Sequence, residues 1–235
     1  RFDGILLTYE TELDCIGSFY TKVGGFVIDE RVNHFGWAAE IGFLNICDTG
    51  LDFKYSFVDW RKNGVNRCFA RNPIGFKFLN SQWQVTYNFV PDCVRVPTQL
   101  FAGYLMNHGA ANYTDDNGVP LEVKGKNTGW YVGFTVGEVC REGDWSFQGL
   151  YAHVEAHAMP DNDVRKIGTG NALQESFTAN AVGNVNFRGI QLAFLYALTD
   201  NLLVNTLFDY SRPVNNSIGG SHEYAQYKLE AIYAF

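Results

Sequence analysis

The sequence is poor in charge: Asp, Glu, Lys and Arg make up 18% of its 235 residues, against roughly 25% in an average soluble domain. Basic residues are the scarcer sign, 18 against 25 acidic for a net charge of −7. That excludes the basic footprint of a nucleic-acid binder. None of the five cysteines sits in a C-x-x-C pair, which argues against zinc or thioredoxin-type chemistry. No G-x-S-x-G, P-loop or Rossmann glycine pattern occurs, so the commonest catalytic and nucleotide-binding motifs are absent and no cofactor is implied. No stretch approaches the roughly 18 apolar residues of a membrane helix; the longest lies around Leu192 to Leu198. That does not make the chain soluble, because a membrane barrel spreads its hydrophobicity over alternate residues.

What the chain has instead is aromatics, 16% of all residues, a class favoured in strands. They fall into segments of period two, the signature of strands with two unlike faces. In Leu51 to Trp60, the residues Leu51, Phe53, Tyr55 and Phe57 share one face while Asp52, Lys54 and Ser56 share the other. Similar segments are Gly4–Glu12, Gly17–Asp29, Phe35–Ile46, Gly75–Val90, Val96–Asn107, Gly129–Cys140, Asp144–His157, Phe187–Leu198, Leu202–Tyr210 and His222–Phe235. The expectation is an all-β chain of about 11 antiparallel strands in one domain spanning residues 1–235, with no long helix.

The connections alternate. Short ones lie near Asp14, Asp48–Gly50, Pro91–Arg95, Arg141–Gly143 and Thr199–Asp200; long ones lie at Arg61–Ile74, His108–Thr128, Met159–Asn186 and Arg212–Ser221. The brief loop at Glu30–His34 is the exception. Short turns at one end and long loops at the other fit an up-and-down transmembrane barrel. With the short turns on one side, Phe53, Tyr87 with Phe89, Trp145 with Phe147, and Tyr233 with Phe235 gather near that side, as a girdle at a membrane interface does. In such a barrel the apolar face meets lipid and the polar face lines the lumen, and every backbone group is paired within the closed sheet.

The final strand, Tyr227-Lys228-Leu229-Glu230-Ala231-Ile232-Tyr233-Ala234-Phe235, ends in Phe with aromatic or apolar residues at alternate positions before it. It resembles the C-terminal signal of Gram-negative outer-membrane barrels, with Leu229, Tyr233 and Phe235 as the residues the barrel-assembly machinery reads. A narrower resemblance covers roughly Gly75 to Phe235. The stretches Gly129-Trp130-Tyr131-Val132-Gly133, Glu142-Gly143-Asp144-Trp145 and Tyr196-Ala197-Leu198-Thr199-Asp200-Asn201 are similar to the C-terminal part of an outer-membrane porin family. This implies a water-filled barrel in the outer membrane that passes small hydrophilic solutes or ions. The lumen-facing charges by strand parity are Glu10, Lys22, Glu40, Asp52, Lys54, Asp209, Lys228 and Glu230. Five acids and three bases imply at most a slight cation preference. If the loop Met159–Asn186 folds inward, Arg165 and Lys166 would sit at a constriction.

Cys15, Cys47, Cys93 and Cys140 fall at or beside the short turns, and Cys68 falls in a long loop. A periplasmic location permits disulfides. The pattern is similar to the cross-linked envelopes of chlamydia-like bacteria, which implies disulfide-linked envelope partners or a homo-oligomer; incidental thiols are the plainer reading. Such a chain could serve as a structural or adhesive barrel instead of a pore. A third possibility is a β-barrel enzyme using His153, Glu155 and His157, which period two would place on one face. Residues two apart on a strand are about 7 Å apart, wide for three ligands on one ion. The alternative is a polar rim.

Counting back from a periplasmic Phe235 through 11 strands leaves Arg1 on the outer side. Single-chain bacterial barrels have an even count, and neither a start Met nor a signal segment precedes Arg1. The expectation is therefore an N-terminally truncated larger barrel, or one strand overlooked.

Overall fold

The computed structural model describes residues 3–29, 34–62, 78–92, 95–110, 126–159, 167–168, 171, 185–216 and 223–233. Eleven antiparallel strands form one sheet in sequence order. They are β1 (Asp3–Leu13), β2 (Gly17–Asp29), β3 (His34–Ile46), β4 (Leu51–Lys62), β5 (Leu79–Phe89), β6 (Thr98–Asn107), β7 (Thr128–Gly137), β8 (Trp145–Val154), β9 (Phe187–Thr199), β10 (Leu202–Arg212) and β11 (Tyr224–Tyr233). Each strand pairs with its sequence neighbours, so the sheet is a pure up-and-down meander. Among the described residues no ladder joins β11 to β1.

Among the described residues, β7 and β8 fall furthest short of the alternation in the sequence. β7 stops at Gly137, whose φ of +85° departs from strand geometry and whose N–H donates to Pro97 O. β8 stops at Val154, although alternation continues to His157. After it the chain curls, with Ala158 N–H donating to Glu155 O at 3.0 Å.

The registers assign every strand residue to a face. One apolar-face row runs Tyr9–Thr21–Ile41–Tyr55–Trp83–Tyr104–Trp130–His153–Arg188–Arg212 through successive ladders. It begins four residues from the short-turn end of β1 (Tyr9 to Leu13) and ends ten from that end of β10 (Leu202 to Arg212). The strands are therefore progressively staggered, the slip that lets a sheet tilt and curl.

Exposure is inverted relative to a soluble sheet. Trp37, Val85, Trp130, Phe134, Leu192 and Tyr227 are among many large apolar side chains left exposed on the apolar face. The buried residues lie mainly on the polar face: Tyr20, Trp60, Thr86, Ala152, Val154, Phe187, Gln191, Leu207 and Asp209. Apolar area of this extent marks an interaction surface.

Candidate functional site

All eight charges assigned to the polar face by parity lie on it. They do not form a uniform ring. Glu10, Lys22, Glu40 and Lys54 cluster on β1–β4, where a cavity of about 460 Å³ is lined by Glu10, Glu12, Tyr20, Lys22 and Lys54. Glu40 is held from two sides: Tyr20 Oη donates to Oε1 at 2.9 Å and Ser56 Oγ to Oε2 at 2.8 Å. Lys22 Nζ lies 4.6 Å from the Tyr20 ring centroid, within cation–π range. Asp52 serves the β3–β4 turn instead, accepting from Asn45 N–H at 2.8 Å and Asn88 Nδ2 at 3.0 Å. On β11, Lys228 pairs with Glu230, which also accepts from Asn205 Nδ2 at 3.0 Å. Asp209 is fully buried and accepts from Gln191 Nε2 at 2.7 Å.

Tyr20 owes its position to a neighbour with no side chain. Its ring lies where a Cβ on Gly42 would be, directly across the β2–β3 ladder. Tyr131 occupies the same relation to Gly103 and accepts a hydrogen bond from Gln82 Nε2 at 2.7 Å. A glycine opposite an aromatic lets the ring fold flat across the sheet and aim its hydroxyl along it.

The described parts of the segment that follows β8 meet the polar face of β5–β10 near the strand ends away from the short turns. Asn107 Nδ2 donates to His157 O at 2.9 Å, Asn80 Nδ2 donates to Ala158 O, and His157 N–H donates to Lys126 O at 2.7 Å. Further on, Ser211 Oγ donates to Asn171 Oδ1 at 2.6 Å. Ala158, Ile167 and Val185 bury against Ala152, Val154 and Phe187, with Leu105, Tyr131 and Met159 at the margin. Met159 faces Ser56, Val58 and Trp60 across a void of about 130 Å³. The described parts of the long β8–β9 connection thus form a strap over the polar face, reaching from β10 to β5. Arg165 and Lys166 lie outside the described residues.

The residues of the H-x-E-x-H stretch are not brought together. His153 is on the apolar face, stacked on Trp130 with centroids 5.8 Å apart. Glu155 accepts from Thr128 N–H at 3.1 Å and Thr128 Oγ1 at 2.7 Å. His157 is buried in the strap. Among the described residues no three His, Cys, Asp or Glu side chains converge as a metal site would require.

Cys15, Cys47 and Cys140 are exposed free thiols at the short-turn end, and no disulfide is formed among the described residues. Cys68 and Cys93 lie outside them. The Cys140 thiol is pushed up in pKa chiefly by the Glu138 carboxylate, with Asp144 adding to it and Arg141 opposing it. Leu229 and Tyr233 lie on the apolar face of β11, paired with Thr206 and Leu202; Phe235 is outside the described residues. No protein-family model matches the chain, and no curated protein matches it either.

Proposed function

We propose that the chain is the spanning sheet of a bacterial outer-membrane β-barrel that works as a porin, passing small hydrophilic solutes or ions by diffusion, without catalysis or cofactor. The observation that carries this reading is the inverted exposure: large apolar side chains cover the accessible face, while Glu40, Gln191 and Asp209 occupy the sheltered one. In water such a sheet would turn over; in lipid it is the favourable arrangement. The progressive stagger adds support, because a barrel closes only with such a shear, and the meander order is that of an up-and-down barrel. On this reading the charged β1–β4 face is the wet side of the channel and the strap narrows the other side. The short-turn end, with Cys15, Cys47 and Cys140, faces the periplasm. Lipid and the barrel-assembly machinery are the partners.

The test is a bilayer recording and a liposome-swelling assay on refolded full-length chain. Stepwise conductance and swelling with small sugars are expected; stable insertion with neither would overturn the pore. A second reading, a structural envelope barrel, draws on the three exposed thiols at one end. Disulfide-linked ladders on non-reducing gels of native envelopes, together with a silent bilayer, would favour it.

A further inference from the structure

Arg188 of β9 stands opposite Arg212 of β10 and, on its other side, opposite His153 of β8. All three are on the apolar face, at the strand ends away from the short turns. Two like charges directly across a ladder repel; Glu223, hydrogen-bonded to Tyr210 beside Arg212, offsets part of that charge, but neither arginine makes an ion pair among the described residues. The Nε of Arg188 is buried and has no hydrogen-bond partner, a costly state for a guanidinium donor. Beside it opens a cavity of about 350 Å³, lined by Lys126, Glu155, Asn186, Arg188 and Asn216. Its one acid, Glu155, is turned toward Thr128, from which one of its oxygens accepts two hydrogen bonds, and Lys126 and Arg188 leave the lining with a net positive charge. Its wall is braced, since Asn186 and Asn215 exchange hydrogen bonds of 2.8 and 3.0 Å. Toward the strand centres from the cations, Ile190 and Leu192 are exposed, and Trp130 is exposed on the cations' own ladder row.

A cationic cup above an apolar stripe matches an amphiphile with an anionic head. We propose that this site binds the phosphate-bearing headgroup of an outer-leaflet membrane lipid, the phosphate lying between Arg188 and Arg212 with Lys126 beside it and the acyl chains along Ile190 and Leu192. The guanidinium fork suits phosphate oxygens, and an anion between the two arginines removes their repulsion. This inference rests on reading the apolar face as lipid-facing.

The test uses the full chain refolded in dodecyl maltoside micelles, which contain no phosphate. Thermal unfolding is followed while bis-phosphorylated lipid A, its fully dephosphorylated form, or inorganic phosphate is added. Lipid A is expected to raise the midpoint saturably. Arg188→Gln and Arg212→Gln should each raise the half-saturating concentration by about tenfold, the loss of one charge-assisted hydrogen bond. Arg141→Gln, at the opposite end, should leave it unchanged. Equal stabilisation by the dephosphorylated lipid overturns the proposal without relying on any variant. So does saturation by inorganic phosphate at the same concentration, or binding insensitive to both arginine substitutions. Insertion into phosphate-free glycolipid vesicles, scored by protease protection, separates the two claims. A chain that does not insert defeats the membrane reading and this site together. A chain that inserts yet ignores phosphate defeats this site alone.

Discussion

Asn107 donates through Nδ2 to His157 O at 2.9 Å while its carboxamide oxygen accepts the N–H groups of Leu79 at 3.0 Å and Gly109 at 2.9 Å. One fully buried side chain thus ties β5, the end of β6 and the strap. Asn107→Ala strands all three partners, and each buried group left unpaired costs on the order of 1–3 kcal/mol. The urea midpoint of the refolded chain should fall, and single-channel traces should become noisier with larger open levels as the strap loosens. Unchanged traces in a destabilised but inserted protein would remove the strap from the conduction path.

Glu40 makes a parallel case on the accessible half of the polar face. Glu40→Gln keeps an acceptor for only one of Tyr20 and Ser56, and Glu40→Ala keeps none, so stability should fall in that order, by roughly 1–3 kcal/mol for the alanine form. Both remove a fixed negative charge, so reversal potentials in a salt gradient should shift toward anions by the same amount. Gly42→Val should mimic part of the stability loss by displacing the Tyr20 ring, while leaving the charge in place.

The face assignment is open to a paired test. Leu192→Arg places a charge mid-strand on the apolar face, which in a membrane costs about 2–4 kcal/mol. Gln148→Arg places it on the polar face, on the next rung of the β8–β9 ladder, opposite Ala193. Folding into vesicles should be impaired by the first and nearly unaffected by the second. The opposite order would mean that the apolar face is not the lipid face.

Cys140 carries a pH signature. Its raised pKa leaves less thiolate at any pH near the ordinary thiol value of about 8.5, so alkylation should be slow there and should accelerate only at higher pH. Glu138→Gln removes the largest cause, lowers the pKa and should shift the whole rate–pH curve toward acid. A curve that does not move would show that Glu138 is not the controlling charge.

Much of this was legible in the sequence, because a sheet's side-chain period is two and parity is read directly. All eleven strands and the face of all eight polar-face charges follow from it. The end of β8 does not. Alternation runs on through His153, Glu155 and His157, yet the chain turns into the strap once it passes Thr128, the first residue of β7. The same fault made His157 look co-facial with His153 and Glu155, whereas it turns into the strap. Asn80, Asn107 and Ser211 were invisible as strap ties, because a small polar residue at a strand end carries no mark of what returns to meet it. Gly42 opposite Tyr20 was readable in principle: a glycine placed by register across from an aromatic on the same face.

The strap also bears on the order in which the molecule assembles. Every ladder among the described residues joins sequence neighbours, so the sheet can grow hairpin by hairpin with little loop-closure entropy at each step. The hydrogen bond from Asn80 to Ala158 spans 78 residues and has nothing to grip until β5 through β8 are in register. The strap's tie to β5 therefore closes a long loop where the ladders close short ones, and a sheet that grows by sequence-neighbour pairing reaches it only after the strands beneath it.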